Sequence, residues 1–110
     1  MESANESVRA VAADVARQGG FELVEAAFLE LAQPDLARAV GDLAARGAGK
    51  VLIIPYFLTL GIHLQRDLPR IVEEIARAHP DMEIRIAPPL DGHPAMSEVL
   101  LDRAREAMGS

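Results

Sequence analysis

Val51-Leu52-Ile53-Ile54-Pro55-Tyr56-Phe57-Leu58-Thr59-Leu60-Gly61-Ile62-His63-Leu64-Gln65-Arg66-Asp67-Leu68-Pro69 is the stretch on which the fold turns. Its first four residues are wholly apolar and read as a strand buried on both faces, within a strand expected over Lys50 to Phe57. Pro55 and Gly61 mark the loop that follows, and Asp67 and Pro69 are the signals that start the next helix. His63 therefore falls between a strand and a helix. Open α/β sheets place their ligands there, beyond the carboxyl ends of the strands. An imidazole both binds metal and changes charge near neutrality, so its position invites a functional reading.

The flanking sequence alternates helix and strand. Ser3 and Glu6 fit a capping box, and Val8, Val11, Ala12, Val15 and Ala16 make one apolar stripe at helical spacing. Gly19 and Gly20 end that first helix. Phe21 to Phe28 reads as a strand, interrupted by Glu22 and Glu25 on its surface. After a short connection, Pro34 starts a helix with Leu36, Val40, Leu43 and Ala44 on one face, stopping at Gly47 or Gly49. Beyond the central stretch, Leu68, Ile71, Val72, Ile75 and Ala76 mark a third helix closed by the His79-Pro80 step. Glu83 to Ala87 alternates polar and apolar residues, as a half-exposed edge strand does. Pro88, Pro89 and Gly92 form a loop to His93 and Pro94. Met96, Val99, Leu100, Arg103, Ala104 and Ala107 complete a final helix. The order α-β-α-β-α-β-α implies parallel pairing, hence a layered α/β domain spanning residues 1–110.

Composition narrows the function. Half of the 110 residues are apolar, but only one Tyr and three Phe are aromatic, so the core is built from Ala, Leu, Val and Ile. A net charge of −6 argues against a phosphate-backbone partner such as nucleic acid. The absence of cysteine excludes disulfides, thiolate metal sites and a Cys nucleophile. No apolar run reaches the ~18 residues needed to cross a bilayer, and no signal-peptide core opens the chain; a cytoplasmic protein with no membrane partner is expected. No glycine-rich loop follows a strand, so a phosphate- or nucleotide-binding domain is disfavoured.

One combination of motifs is specific. Ala27 to Pro34, then Ile54-Pro55-Tyr56-Phe57-Leu58, Gly61-Ile62-His63 and Asp67-Leu68-Pro69, closely resembles the small single-domain sirohydrochlorin chelatases. These are the CbiX-like class II enzymes that insert cobalt or iron into sirohydrochlorin. Ala4-Asn5-Glu6, and Glu83 to Pro94, resemble the same family's first helix and its last strand and loop. The resemblance implies a three-layer αβα sandwich with a small parallel sheet, often a homodimer, with a metal site at the carboxyl end of the sheet. It also implies a first strand and a His-Gly-Ser turn ahead of Met1, whose His has no counterpart here.

By that resemblance His63 is a metal ligand and proton acceptor, and Glu30 its partner in both roles. Leu58, Thr59, Leu60, Gly61 and Ile62 line the apolar floor of the ring site. The substrate is a polycarboxylate, so Arg66 is the expected cation, with Arg70 one turn further on. His93 either lines the pocket or serves the start of the last helix; His79, at a helix C-terminus, has no catalytic part. No prosthetic group is implied. The divalent metal, cobalt, iron or nickel, is a substrate, since imidazole and carboxylate suit all three. The expected function is metal insertion into a tetrapyrrole for cobalamin or sirohaem. The alternative is a truncated, non-catalytic tetrapyrrole or metal binder.

Overall fold

The computed structural model describes residues 2–29 and 32–109. Among the described residues six elements follow one another: helix α1 (Glu2–Gly19), helix α2 (Leu36–Ala45), strand β1 (Lys50–Ile53), helix α3 (Ile62–Ala78), strand β2 (Glu83–Ile86) and helix α4 (Ala95–Ala107). β1 and β2 pair in parallel, with Val51 opposite Ile84 and Ile53 opposite Ile86. Parallel neighbours joined through a helix make this an α/β protein with a small parallel sheet, as the alternating pattern implies.

The core sits on one face of that sheet. Val40 of α2, Val51 of β1 and Ile75 of α3 form its centre, with Leu36, Leu43, Ile53, Ile71, Met82 and Ile84 packed around them. Val40 is 1% exposed. The helical spacing of Leu36, Val40 and Leu43 places all three side chains toward β1. Asp35 starts α2, its carboxylate accepting the Arg38 N–H at 2.8 Å. Gly47, at φ +97°, lets the chain leave α2 and turn into β1.

Five expectations need correction. The central strand is not buried on both faces: Val51 is buried, but Leu52 is 55% and Ile54 60% exposed. Alternation along a strand sends Val51 and Ile53 to the helix-covered face and Leu52 and Ile54 to the other. The strand also stops at Ile53 rather than Phe57, because Pro55 has no N–H to give the ladder. Phe21 to Phe28 is extended but forms no strand, making only a single parallel bridge from Phe28 to Asp35. A sequence with strand propensity still needs a neighbouring strand to hydrogen-bond, and among the described residues this segment has none. Its ties include the Phe21 N–H donating to the Ala16 carbonyl at 3.1 Å, the Phe28 N–H donating to the Pro34 carbonyl at 2.9 Å and the Arg9 guanidinium 5.3 Å over the Phe28 ring.

The third helix begins at Ile62, five residues before Asp67, and carries Pro69 inside it. Pro69 removes only the bond its N–H would have made to the Gln65 carbonyl; both residues are exposed, so water serves that carbonyl. Likewise α1 already runs at Glu2, which puts Ser3 inside the helix rather than at its cap. Ser3 instead offers its carbonyl to the Ser7 hydroxyl at 3.3 Å. No described helix is long and apolar enough to cross a membrane.

Candidate functional site

Among the described residues two connections lead from a strand into a helix N-terminus: from Ile53 to α3 and from Ile86 to α4. In a parallel α/β arrangement, these connections gather at the carboxyl edge of the strands. Leu58 to Gly61 lie in the first, His63 and Arg66 in the opening turns of the helix it leads into, and His93 in the second. Glu30 lies outside the described residues, so its relation to His63 rests on sequence position: four residues before Pro34, in the connection to α2.

His63 is exposed and lies in the first turn of α3, not in a free loop. That difference matters chemically. A helical backbone fixes the imidazole's origin, whereas a loop would let it wander. The turn is anchored twice by Gln65, whose side-chain amide donates to the Leu60 carbonyl at 2.8 Å and whose N–H donates to the Gly61 carbonyl at 2.9 Å. Gln65 was not singled out by sequence reasoning, because nothing in a lone Gln announces that it ties a loop to a helix. Leu58, Thr59, Gly61 and Ile62 are exposed, with Leu58 71% and Ile62 70% open, while Leu60 is half-buried.

Gly61 is the N-cap of α3 and brings no side-chain cap, and no acidic residue follows in the first turn. The first N–H groups of α3 are therefore left to solvent or to a ligand. With the positive end of the helix dipole, they favour an anion. Arg66, one turn on from His63, is exposed and forms no ion pair among the described residues. Arg70 differs: its guanidinium lies 3.2 Å from the Asp67 carboxylate.

His93 is placed unambiguously. Its Nδ1 accepts the Ala95 N–H at 3.0 Å, so the ring serves the start of α4. A lone pair committed to that bond is not free for a metal, and in the neutral ring the proton is on Nε2, which points a donor rather than a ligand outward. His79 is the C-cap of α3, as expected of a helix-terminal imidazole. Glu25, expected on a strand surface, helps line a shallow pocket of about 370 Å³ with Gln33, Pro34, Arg38 and Asp42, beside the start of α2. Among the described residues no three His, Asp or Glu side chains converge on one point.

The chain is a small-sheet parallel α/β protein that carries an exposed imidazole and an uncapped helix terminus at the start of α3. The CbiX profile matches residues 1–107, and the chain belongs to that family. It is 31% identical to the sirohydrochlorin cobaltochelatase of Methanopyrus kandleri, the alignment covering 93% of this chain and 85% of that protein. It is 37% identical to the sirohydrochlorin cobaltochelatase of Saccharolobus islandicus over 78% of this chain and 72% of the relative. A solved CbiX protein from Marinobacter aquaeolei VT8 superposes with a TM-score of 0.73 at 27% identity, covering 90% of this chain and 83% of the other.

Proposed function

We propose that this chain is a sirohydrochlorin cobaltochelatase, inserting Co²⁺ into a tetrapyrrole. The observation that carries the reading is an exposed His63 on a fixed helical turn that also holds uncapped helix N–H groups, followed by Arg66, which forms no ion pair among the described residues. Its support from similarity is the name shared by the relatives in Methanopyrus and Saccharolobus. Iron and nickel suit the same donors, so the metal preference belongs to the proposal. So do a cytoplasmic location, a single domain over residues 1–110 and operation as a homodimer.

Metal insertion requires a metal held weakly enough to be surrendered, a place for two pyrrole protons, and a cleft that admits a flat ring. His63 and Glu30 are assigned to the first two tasks. Imidazole and carboxylate hold first-row divalent ions without the tenacity of thiolate. As the ring nitrogens replace them around the metal, each released side chain becomes a base for one pyrrole proton. Two ligands leaving and two protons arriving keep the balance. The exposed Leu58 and Ile62, with Thr59, Leu60 and Gly61, form the apolar floor against which the macrocycle lies. Arg66 and the start of α3 take its peripheral carboxylates. His93 contributes at most an Nε2–H donor.

The test is spectroscopic. Mixing the protein with sirohydrochlorin and Co²⁺ should change the visible spectrum faster than the protein-free reaction does. Binding of the macrocycle with no acceleration would convert the assignment to a tetrapyrrole carrier.

A further inference from the structure

Helices α2, α3 and α4 are entered by different devices. The Asp35 carboxylate accepts the Arg38 N–H of α2, and the His93 ring accepts the Ala95 N–H of α4. Both fix the incoming chain by occupying a donor of the helix itself. At α3 the direction is reversed. Gln65, the fourth helical residue, donates its side-chain amide to the carbonyl of Leu60, the residue before the Gly61 cap, at 2.8 Å. These are the two positions that an apolar staple joins in other helices, a contact that sets the angle at which the chain enters. Here the same tie is made without engaging any N–H of the first turn.

Among the described residues, no other hydrogen bond reaches residues 54–60. Pro55 is buried and Leu60 half-buried, but Tyr56, Phe57 and Leu58 between them are 50%, 42% and 71% exposed. An apolar run left in water gains free energy by collapsing onto any apolar surface within reach. The buried Pro55 holds one end of this run, and the Gln65 bond holds the other. A platform ordered in this way before a ligand arrives spares the binding step the entropy of ordering it.

We propose that Gln65 is a positioning residue for metal insertion. Its bond to Leu60 fixes the Tyr56–Leu58 run relative to His63 and leaves the N–H groups of the first turn of α3 open to a carboxylate of the macrocycle. The bond closes a loop of backbone that contains His63. The imidazole rides on the helix, whereas the apolar surface for the ring belongs to the connection, so only this tie sets one against the other. A small misplacement of reacting groups lowers a rate steeply. The proposal rests on the chelatase reading, but the strap itself is measured without substrate.

Gln65→Ala removes the donor while keeping helix propensity, and Gln65→Lys restores a donor of similar reach. In the free protein, NMR relaxation of the backbone amides of residues 56–60 should give order parameters near about 0.85 for the native chain and below about 0.6 for Gln65→Ala. Gln65→Lys should return them toward the native value. With sirohydrochlorin and Co²⁺, Gln65→Ala should lower kcat at saturating macrocycle about tenfold, with α3 helicity retained, and Gln65→Lys should recover it. Saturation removes what the lysine charge adds to binding. A Gln65 that only supported the fold would lower Tm and leave the kcat of the folded protein unchanged. Native order parameters in Gln65→Ala would overturn the proposal, and so would a loosened connection with native kcat. A native chain that inserts no cobalt would refute the chelatase reading instead. The strap would then be judged by the order parameters and by macrocycle binding, which Gln65→Ala should weaken about fivefold and which, if unchanged, would overturn it.

Discussion

Replacing Gly61 by Ser should make the protein more stable and a poorer binder of its substrate. Gly61 caps α3 with φ −67° and ψ 166°, an extended conformation that any residue adopts, and a Cβ placed there meets nothing within 4 Å. Glycine is thus not required by the backbone. A Ser hydroxyl at this position would accept the His63 or Leu64 N–H, as Asp35 already does for Arg38 in α2. The added cap contributes a few tenths of a kcal/mol over glycine, and the lost freedom of the unfolded chain about 0.4–1 kcal/mol. Together they amount to about 1 kcal/mol, a rise of about 4–8 °C in Tm. The same hydroxyl occupies the donors assigned to a carboxylate of the macrocycle. Losing a charge-assisted bond of about 1.5–3 kcal/mol should weaken sirohydrochlorin binding about 10- to 100-fold. Calorimetry gives Tm and fluorescence quenching gives Kd. Gly61→Ala, which adds a methyl but no acceptor, is the control and should bind better than Gly61→Ser. A Gly61→Ser protein with higher Tm and unchanged Kd would refute the idea that the α3 terminus receives the substrate's anion.

Other outcomes follow from the same geometry. Arg66→Ala should weaken macrocycle binding about tenfold, and Arg70→Ala less, because Arg70 is already paired with Asp67; titration of the two variants side by side decides it. His93→Ala should fray the start of α4, at a cost comparable to a lost cap, about 0.5–2 kcal/mol, seen as reduced helicity by circular dichroism. His93→Asn, able to accept the Ala95 N–H, should restore it. Ile75→Ala, in the centre of the core, should cost about 2–5 kcal/mol in denaturant unfolding.

How much of this was legible in the sequence varies with the kind of signal. The helices over Leu36, Val40 and Leu43 and over Leu68, Val72 and Ile75 were written in their apolar spacing, and they pack as that spacing requires. Val51 and Ile53 were legible as strand. That Leu52 and Ile54 face solvent was not, because an apolar run does not reveal how many layers surround the sheet. Phe21 to Phe28 carries strand propensity but finds only the Phe28–Asp35 bridge; propensity is local, and a ladder needs a partner. The start of α3 was misplaced because Gly61 supplies no cap signal, while Asp67 and Pro69 supply a false one six to eight residues into the helical segment. That error concealed the most useful feature of the site, that His63 rides on a helix. The double role of Gln65 and the commitment of the His93 Nδ1 to Ala95 depend on side-chain geometry, which spacing does not encode.

The central claim is that the imidazole of His63 handles the metal as it passes to the ring. The most direct measurement is the initial rate of Co²⁺ insertion into sirohydrochlorin by His63→Ala, compared with the unsubstituted protein and the protein-free reaction, at equal bound macrocycle. The rate should fall to the protein-free value while macrocycle binding persists. A His63→Ala protein that inserts cobalt as fast as the native chain would contradict the account.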